Sequence, residues 1–260
     1  MQIPKKIHLI WLGTDNPRPQ ACIQSWKRNH PAWEFKLWSE ADLDKADWIN
    51  RDHIATFAKA RKWPAVADLM RYEILYREGG VYVDADSFSL RPLDNWLLEN
   101  EMFATWEDTL SRKRLVNNAF LGSIPNNPFL EFVIKTIALK KELFKRWSWS
   151  RMRYVRMSAW RSVGPYQLTT CINNYNGSPY NGITILPSQM FSPNHFRGNS
   201  YCGNGVVYAD HKWGTTKKLY ASDMLRGDTT KHLPASIAIP TKKVPPFVVW
   251  KAQPTDRQKC

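Results

Sequence analysis

Short apolar runs alternate with amphipathic stretches along most of the chain. Ile7–Trp11 (IHLIW) reads as a buried strand that ends at Gly13. Pro19 opens a helix to about Asn29, and Glu34–Trp38 (EFKLW) alternates as a second strand. Ser39 with Asp42 three residues on is a helix-start signature, followed by a polar helical stretch to about Lys62. Pro64 suits the first turn of a helix and Gly79-Gly80 its end. Between them Ala65, Leu69, Tyr72 and Tyr76 recur at helical spacing, and Asp68 and Arg71, three apart, share a face. Val81-Tyr82-Val83 then forms a short strand that delivers Asp84-Ala85-Asp86 at its end. Met102–Trp106 predicts another strand, Pro128 to Lys145 a helix, and Gly164-Pro165 the start of a short helix to about Asn174. Ile183–Leu186 and Val206–Ala209 are later strands.

Strands alternating with helices predict an α/β sandwich around a mostly parallel sheet. There is no internal repeat. The 260 residues suit one large domain, taken as 1–220, with a basic, Pro-containing tail over 221–260. Thirteen Trp, eleven Phe and ten Tyr can fill a substantial core and exclude a disordered chain.

Charge changes the picture most. The formal net charge of +14 favours anionic partners: nucleic acid, acidic lipid surfaces or phosphorylated small molecules. Residues 140–161 concentrate eight Lys/Arg against one Glu, interleaved with Trp147, Trp149, Tyr154 and Trp160. That stretch reads either as a solvated face with its Trp packed inward or as an interfacial surface suited to lipid headgroups. The tail 221–260 adds seven Lys/Arg against three Asp. Cys22, Cys171, Cys202 and Cys260 show no zinc-ligand spacing and read as mostly reduced thiols. The opening residues carry no secretory signal pattern and no run is long enough to span a membrane. The expectation is a cytoplasmic protein, peripheral at the inner face of the membrane.

GGVYVDADS at 79–87 is the strongest chemical signal. Ligands of open α/β sheets bind beyond the carboxyl ends of the strands. Two Asp one residue apart there can hold a hard divalent cation, which would cross-link to a diphosphate. The competing reading is a solvated acidic turn.

Here the sequence resembles glycosyltransferase family 32, the DXD-motif sugar transferases of the capsular polysaccharide and lipopolysaccharide type. The matching residues are IPKKIHLIWLG at 3–13, AVADLMRYEILYREGGVYVDAD at 65–86, Asn118-Ala119-Phe120, Gly164-Pro165 and Asp210-His211 with Trp213. The resemblance implies a GT-A fold, a nucleotide-sugar donor, Mn²⁺ (or Mg²⁺) and transfer with retention. It implies Asp84 and Asp86 as the DXD pair, the second on metal and the first on ribose or sugar as well as metal. Asp68 and Arg71 would sit on donor hydroxyls and near the phosphates; otherwise they are a surface salt bridge. His211 would be a third metal ligand, or else an ordinary loop histidine. A Lys precedes Trp213 where a Ser is usual, which puts that Trp's role in question. His8 and Trp11 would border the nucleoside, with core packing as the alternative, and Asn118 would bond donor sugar or acceptor. Asp68, Arg71 and Asp86 are the residues expected to carry catalysis.

The expected function is metal-dependent transfer of a sugar, UDP-hexose being the leading donor, to a glycan or lipid-linked glycan in surface polysaccharide synthesis. The expected further partner is an anionic membrane surface, through 140–161 and the tail. A basic nucleic-acid-binding protein is the rival class. It is disfavoured because no nucleic-acid motif is present and an acidic DAD site repels phosphate without metal. A non-catalytic sugar-nucleotide binder is the third reading, opposed by the intact DXD, Asp68 and Arg71.

Overall fold

The computed structural model describes residues 1–13, 16–108, 111–175 and 182–217, so the tail 221–260 lies outside the described residues. The elements in order are β1 (Lys6–Ile10), α1 (Gln20–Asn29), β2 (Glu34–Trp38), α2 (Arg51–Lys59), α3 (Trp63–Glu78), β3 (Gly80–Val83), β4 (Ser87–Ser89), α4 (Asn95–Leu98), β5 (Met102–Asp108), β6 (Arg112–Ser123), α5 (Pro128–Ala138), β7 (Lys145–Ser148), β8 (Arg153–Arg156), α6 (Ala159–Ser162), α7 (Pro165–Asn174), β9 (Ile183–Leu186), β10 (Ala209–His211) and α8 (Gly214–Lys217).

Six strands form the central sheet in the order β2-β1-β3-β6-β5-β9. Pairing is parallel except on both sides of β6, so five strands run one way and β6 alone runs against them. The alternation of strand side chains divides the apolar residues between two cores. Ile10 and Tyr82 face α2, α3, α5 and α7 on one side, whereas Ile7, Leu9, Val81 and Val83 face α1 and α4 on the other. β4 and β10 form a separate antiparallel ribbon, and β7 pairs with β8 as a second one.

Two features position the site. The first is topological: from β1 the chain passes to β2 on one side and later returns to β3 on the other. Connections that leave in opposite directions open a crevice at the carboxyl ends of β1 and β3. The second is α3, buried at every position from Ala65 to Leu75 except Ala67. A helix sunk this deeply can carry Asp68, Arg71 and Glu73 only if each is paired. Glu73 accepts the backbone N–H of Ile49 (2.7 Å) and Asn50 (2.8 Å) and pairs with Arg77 at 3.0 Å. The turn from α3 into β3 needs glycine at Gly80, where φ is +95° and a Cβ would meet the Lys6 carbonyl at 2.7 Å.

The structure departs from the sequence reading in several places. The predicted helix from Ser39 to Lys62 is a capped 3-10 turn followed by the separate α2, because Glu73 takes up the N–H groups of Ile49 and Asn50 between them. The helix read through Lys145 stops at Ala138, beyond which Leu143 is buried and Phe144 packs on Phe57. The strand read at Val206–Ala209 lies at Ala209–His211, set by its pairing with β4. β6, whose charged start hid a strand, is twelve residues long.

Candidate active site

A cleft of about 820 Å³ opens at the carboxyl ends of β1 and β3. Trp11 follows β1 into it, Asp84 and Asp86 follow β3, Asp68 and Arg71 enter from α3, and Asn118 comes from β6. Because β6 is antiparallel, its early residues lie beside the end of β3, where the Asp84 N–H donates to the Ala119 carbonyl at 2.9 Å.

Arg71 is the hub. Its guanidinium contacts Asp68 at 3.1 Å and Asp84 at 3.2 Å, donates to the Asn118 carbonyl at 2.6 Å, and lies 4.3 Å from the centre of the Tyr82 ring. Asn118 Nδ2 donates to Asp68 Oδ1 at 2.8 Å and to the Tyr72 hydroxyl at 3.1 Å. Tyr82, read from sequence as core, is buried and also donates its hydroxyl to Asp84 at 2.7 Å. The i,i+3 pair of Asp68 and Arg71 is therefore a salt bridge and a cleft wall at once, with both residues buried. Burial pushes Asp68 up to about 6, although Arg71 and the Asn118 hydrogen bond pull the other way. Burial likewise raises Asp84, against Arg71 and His211.

His211 reaches the same point from β10, which pairs with β4 so that His211 stands opposite Ser87, the residue after Asp86. Its Nε2 lies 3.3 Å from Asp86 Oδ1 and 3.6 Å from Asp84 Oδ2. Trp213, with φ +58°, stacks on the imidazole at 4.2 Å and donates to the Asn194 carbonyl at 2.9 Å, so this Trp braces the histidine. Asp86 accepts the Gly214 N–H at 2.6 Å. Burial alone would raise Asp86, but the charge and hydrogen bond of His211 and the Gly214 N–H hold it below the usual carboxylate range.

One ligand atom each from Asp84, Asp86 and His211 lies within 4.8 Å of the others. The set fits a divalent ion for two reasons. Its donors are two carboxylate oxygens and an imidazole nitrogen, which suit Mn²⁺ and Mg²⁺ in part and Mn²⁺ as a whole. Asp84 and Asp86 also bring two carboxylates against one imidazole, and carboxylates crowded together away from water are costly without a positive charge between them.

His8 corrects an expectation. It lies outside the cleft, fully buried, with Nε2 2.9 Å from the Gly79 carbonyl and Nδ1 accepting from Trp38 Nε1 at 3.2 Å. Burial drives it down to about 4, so it is a neutral structural residue and not a donor contact. Trp11, half-buried, does line the cleft. Sequence reasoning missed Glu107 and Arg112, paired at 2.7 Å in the cleft wall, and the neighbouring Phe196. Glu107 is buried and raised by that burial against the pull of Arg112. The available signal was Glu107-Asp108 ending an otherwise apolar strand, an echo of the acidic end of β3.

Comparison with known proteins fits this geometry. Residues 17–103 match the family model described as a glycosyltransferase sugar-binding region containing a DXD motif. The chain is 26% identical over 215 residues to inositol phosphoceramide mannosyltransferase 1 of Schizosaccharomyces pombe, covering 78% of this chain and 63% of that protein. It is 29% identical over 209 residues to mannosyl phosphorylinositol ceramide synthase SUR1 of Saccharomyces cerevisiae, covering 76% and 49%. The chain thus spans less than two thirds of these relatives. Among solved structures, it is similar to the UDP-bound glycosyltransferase domain of the YGT toxin, with a TM-score of 0.50, 10% identity, and 71% and 79% of the two chains covered.

The fold is therefore GT-A, an α/β sandwich on a mostly parallel sheet. Asp84-Ala85-Asp86 lies inside the matched region 17–103 and has the spacing of a DXD motif.

Proposed function

We propose that this chain is a metal-dependent, retaining glycosyltransferase that moves a hexose from a nucleoside-diphosphate sugar to a hydroxyl of a glycan- or lipid-borne acceptor. The observation that carries the reading is the convergence of Asp84, Asp86 and His211 beside the Asp68–Arg71 pair in one cleft. Asp84, Asp86 and His211 would hold Mn²⁺ or Mg²⁺, which when bound offsets charge on the departing diphosphate. Arg71 supplies a second, fixed positive charge at that leaving group. Asp68, held by Arg71 and Asn118, accepts from hydroxyls of the donor sugar. Trp11 offers its ring to the base. Glu107, Arg112, Trp160 and Phe196 form the remaining polar and aromatic wall, and the acceptor lies against them. Asp68 is already engaged by Arg71 and Asn118, which disfavours it as a covalent nucleophile and favours displacement on the face from which the leaving group departs.

The relatives named for inositol phosphoceramide put mannose and a phosphoinositol lipid beside UDP-hexose and surface polysaccharide as candidate donor and acceptor. The test is a donor panel, UDP-glucose, UDP-galactose, UDP-N-acetylglucosamine and GDP-mannose, scored for released nucleoside diphosphate with Mn²⁺, with Mg²⁺ and with chelator. One donor should be consumed only with metal. No metal-dependent release from any donor would refute the reading.

A further inference from the structure

We infer that the β7–β8 hairpin and the surface around it form a docking face for an anionic lipid bilayer. Among the described residues, seven large hydrophobic side chains are exposed, and five fall between positions 139 and 166: Leu139, Trp147, Met152, Tyr154 and Tyr166. Trp147 and Tyr154 touch each other, and contiguous exposed apolar groups mark an interaction surface, whereas single ones do not. Register explains the arrangement. Trp147 stands opposite Tyr154 across the hairpin, so both rings point to one face, where they meet edge to face at 5.2 Å. Lys145, two residues from Trp147, shares that face, with its ammonium 5.3 Å from the centre of the Tyr154 ring. Met152, 68% exposed with φ +47°, turns the tip between exposed Arg151 and Arg153.

Aromatic rings and a lysine on one face, with a flexible thioether and two arginines at the tip, match the chemistry of a headgroup layer over acidic lipid. A free two-stranded ribbon is marginally stable, and a bilayer would give its apolar face a partner. Location supplies the purpose. β8 ends at Arg156 and α6 begins at Ala159, so the hairpin is tethered a few residues from Trp160, which lines the cleft. A lipid-borne acceptor could then enter without leaving the membrane. That purpose rests on the transferase reading; the binding itself does not.

The experiment is co-sedimentation of the full chain with phosphatidylcholine vesicles, with and without phosphatidylserine, as salt rises. The wild type should bind the acidic vesicles and release with salt. Arg151→Gln with Arg153→Gln should weaken binding about fivefold per charge, roughly twenty-five-fold for the pair. Met152→Ser with Tyr154→Ser should weaken it about tenfold through lost apolar burial. Both double variants should keep the wild-type melting temperature and the wild-type rate of metal-dependent donor hydrolysis. Equal recovery with neutral and acidic vesicles would overturn the proposal. So would wild-type binding by both variants, which would move the contact elsewhere in the chain. Tighter, hairpin-dependent binding to a short single-stranded oligonucleotide would replace lipid with nucleic acid as the occupant. Absence of donor hydrolysis in the wild type would sink the transferase reading and leave the vesicle result standing.

Discussion

Lowering the pH should weaken metal binding through one identifiable proton. Burial pulls His211 down, but the carboxylates of Asp86 at 3.3 Å and Asp84 at 3.6 Å outweigh it and hold the imidazole above its ordinary value of 6.5. Below that raised value, His211⁺ in the metal-free protein occupies the charge position that a cation would take. A metal needs the neutral ring, so each ion bound below the His211 pKa displaces a proton. Observed affinity should then fall by up to tenfold per pH unit, about 1.4 kcal/mol, once the pH is below that value. The raised pKa also fixes a sign for stability. The metal-free fold gains from the imidazolium below about pH 6.5 and loses that gain as pH rises through the folded value. Free Mn²⁺ measured by electron paramagnetic resonance from about pH 8 to about pH 6 reads the affinity, and calorimetry in two buffers counts protons. His211→Ala should bind more weakly at the high end and lose the slope. Affinity independent of pH with no proton released, or an unchanged slope in His211→Ala, would refute the reasoning.

Asp84→Asn and Asp86→Asn should each lower metal-dependent donor turnover by about a hundredfold or more, with folding checked by circular dichroism. Arg71→Ala should cost about 3 kcal/mol in chemical denaturation as well as donor use, because it strands the buried carboxylate of Asp68 and the half-buried one of Asp84. Arg71 is only 5% exposed, so stability and turnover should fall together. Arg71→Lys should recover part of that stability but little turnover, since one ammonium cannot bridge Asp68, Asp84 and the Asn118 carbonyl together. His8→Ala should lose about 1–3 kcal/mol, read as a lower melting temperature, with donor hydrolysis per folded molecule unchanged.

Elements fixed by local chemistry were legible in the chain. β2 and β9 fall at their expected residues, and α3 lies within a residue or two of the Pro64 and Gly79-Gly80 signals, because proline and glycine act through their own backbones. β6 was not legible. It begins Arg112-Lys113-Arg114, and a strand whose first half rims a polar cleft has no reason to alternate apolar and polar. The break between Ser39 and Arg51 was hidden for a different reason: Glu73, more than twenty residues on, accepts the N–H groups that end it. The basic stretch 140–161 contains a hairpin because residues 143–144 anchor its base in the core, a tertiary effect on a polar segment.

The candidate site divides along the same line. Asp68 and Arg71 need one helix, and Asp84 and Asp86 need one strand end, so spacing alone placed each pair. His211 stands 125 positions from Asp86, and only the resemblance carried by Asp210-His211 with Trp213 sets it apart from a loop histidine. The register of β10 on β4 puts it opposite Ser87, with a ring nitrogen within 4.8 Å of oxygens of Asp84 and Asp86. The same register passes Lys212 N–H to the Asp86 carbonyl at 3.0 Å and Gly214 N–H to the Asp86 carboxylate, tying both ends of the acidic turn to one segment. That segment is therefore more than a carrier for a ligand. Were His211 to give up its proton to a metal, the Asp86 carboxylate would remain fixed by Gly214, so the site would keep its shape while its charge changed. A metal-binding turn needs that property if affinity is to follow the proton without refolding the cleft.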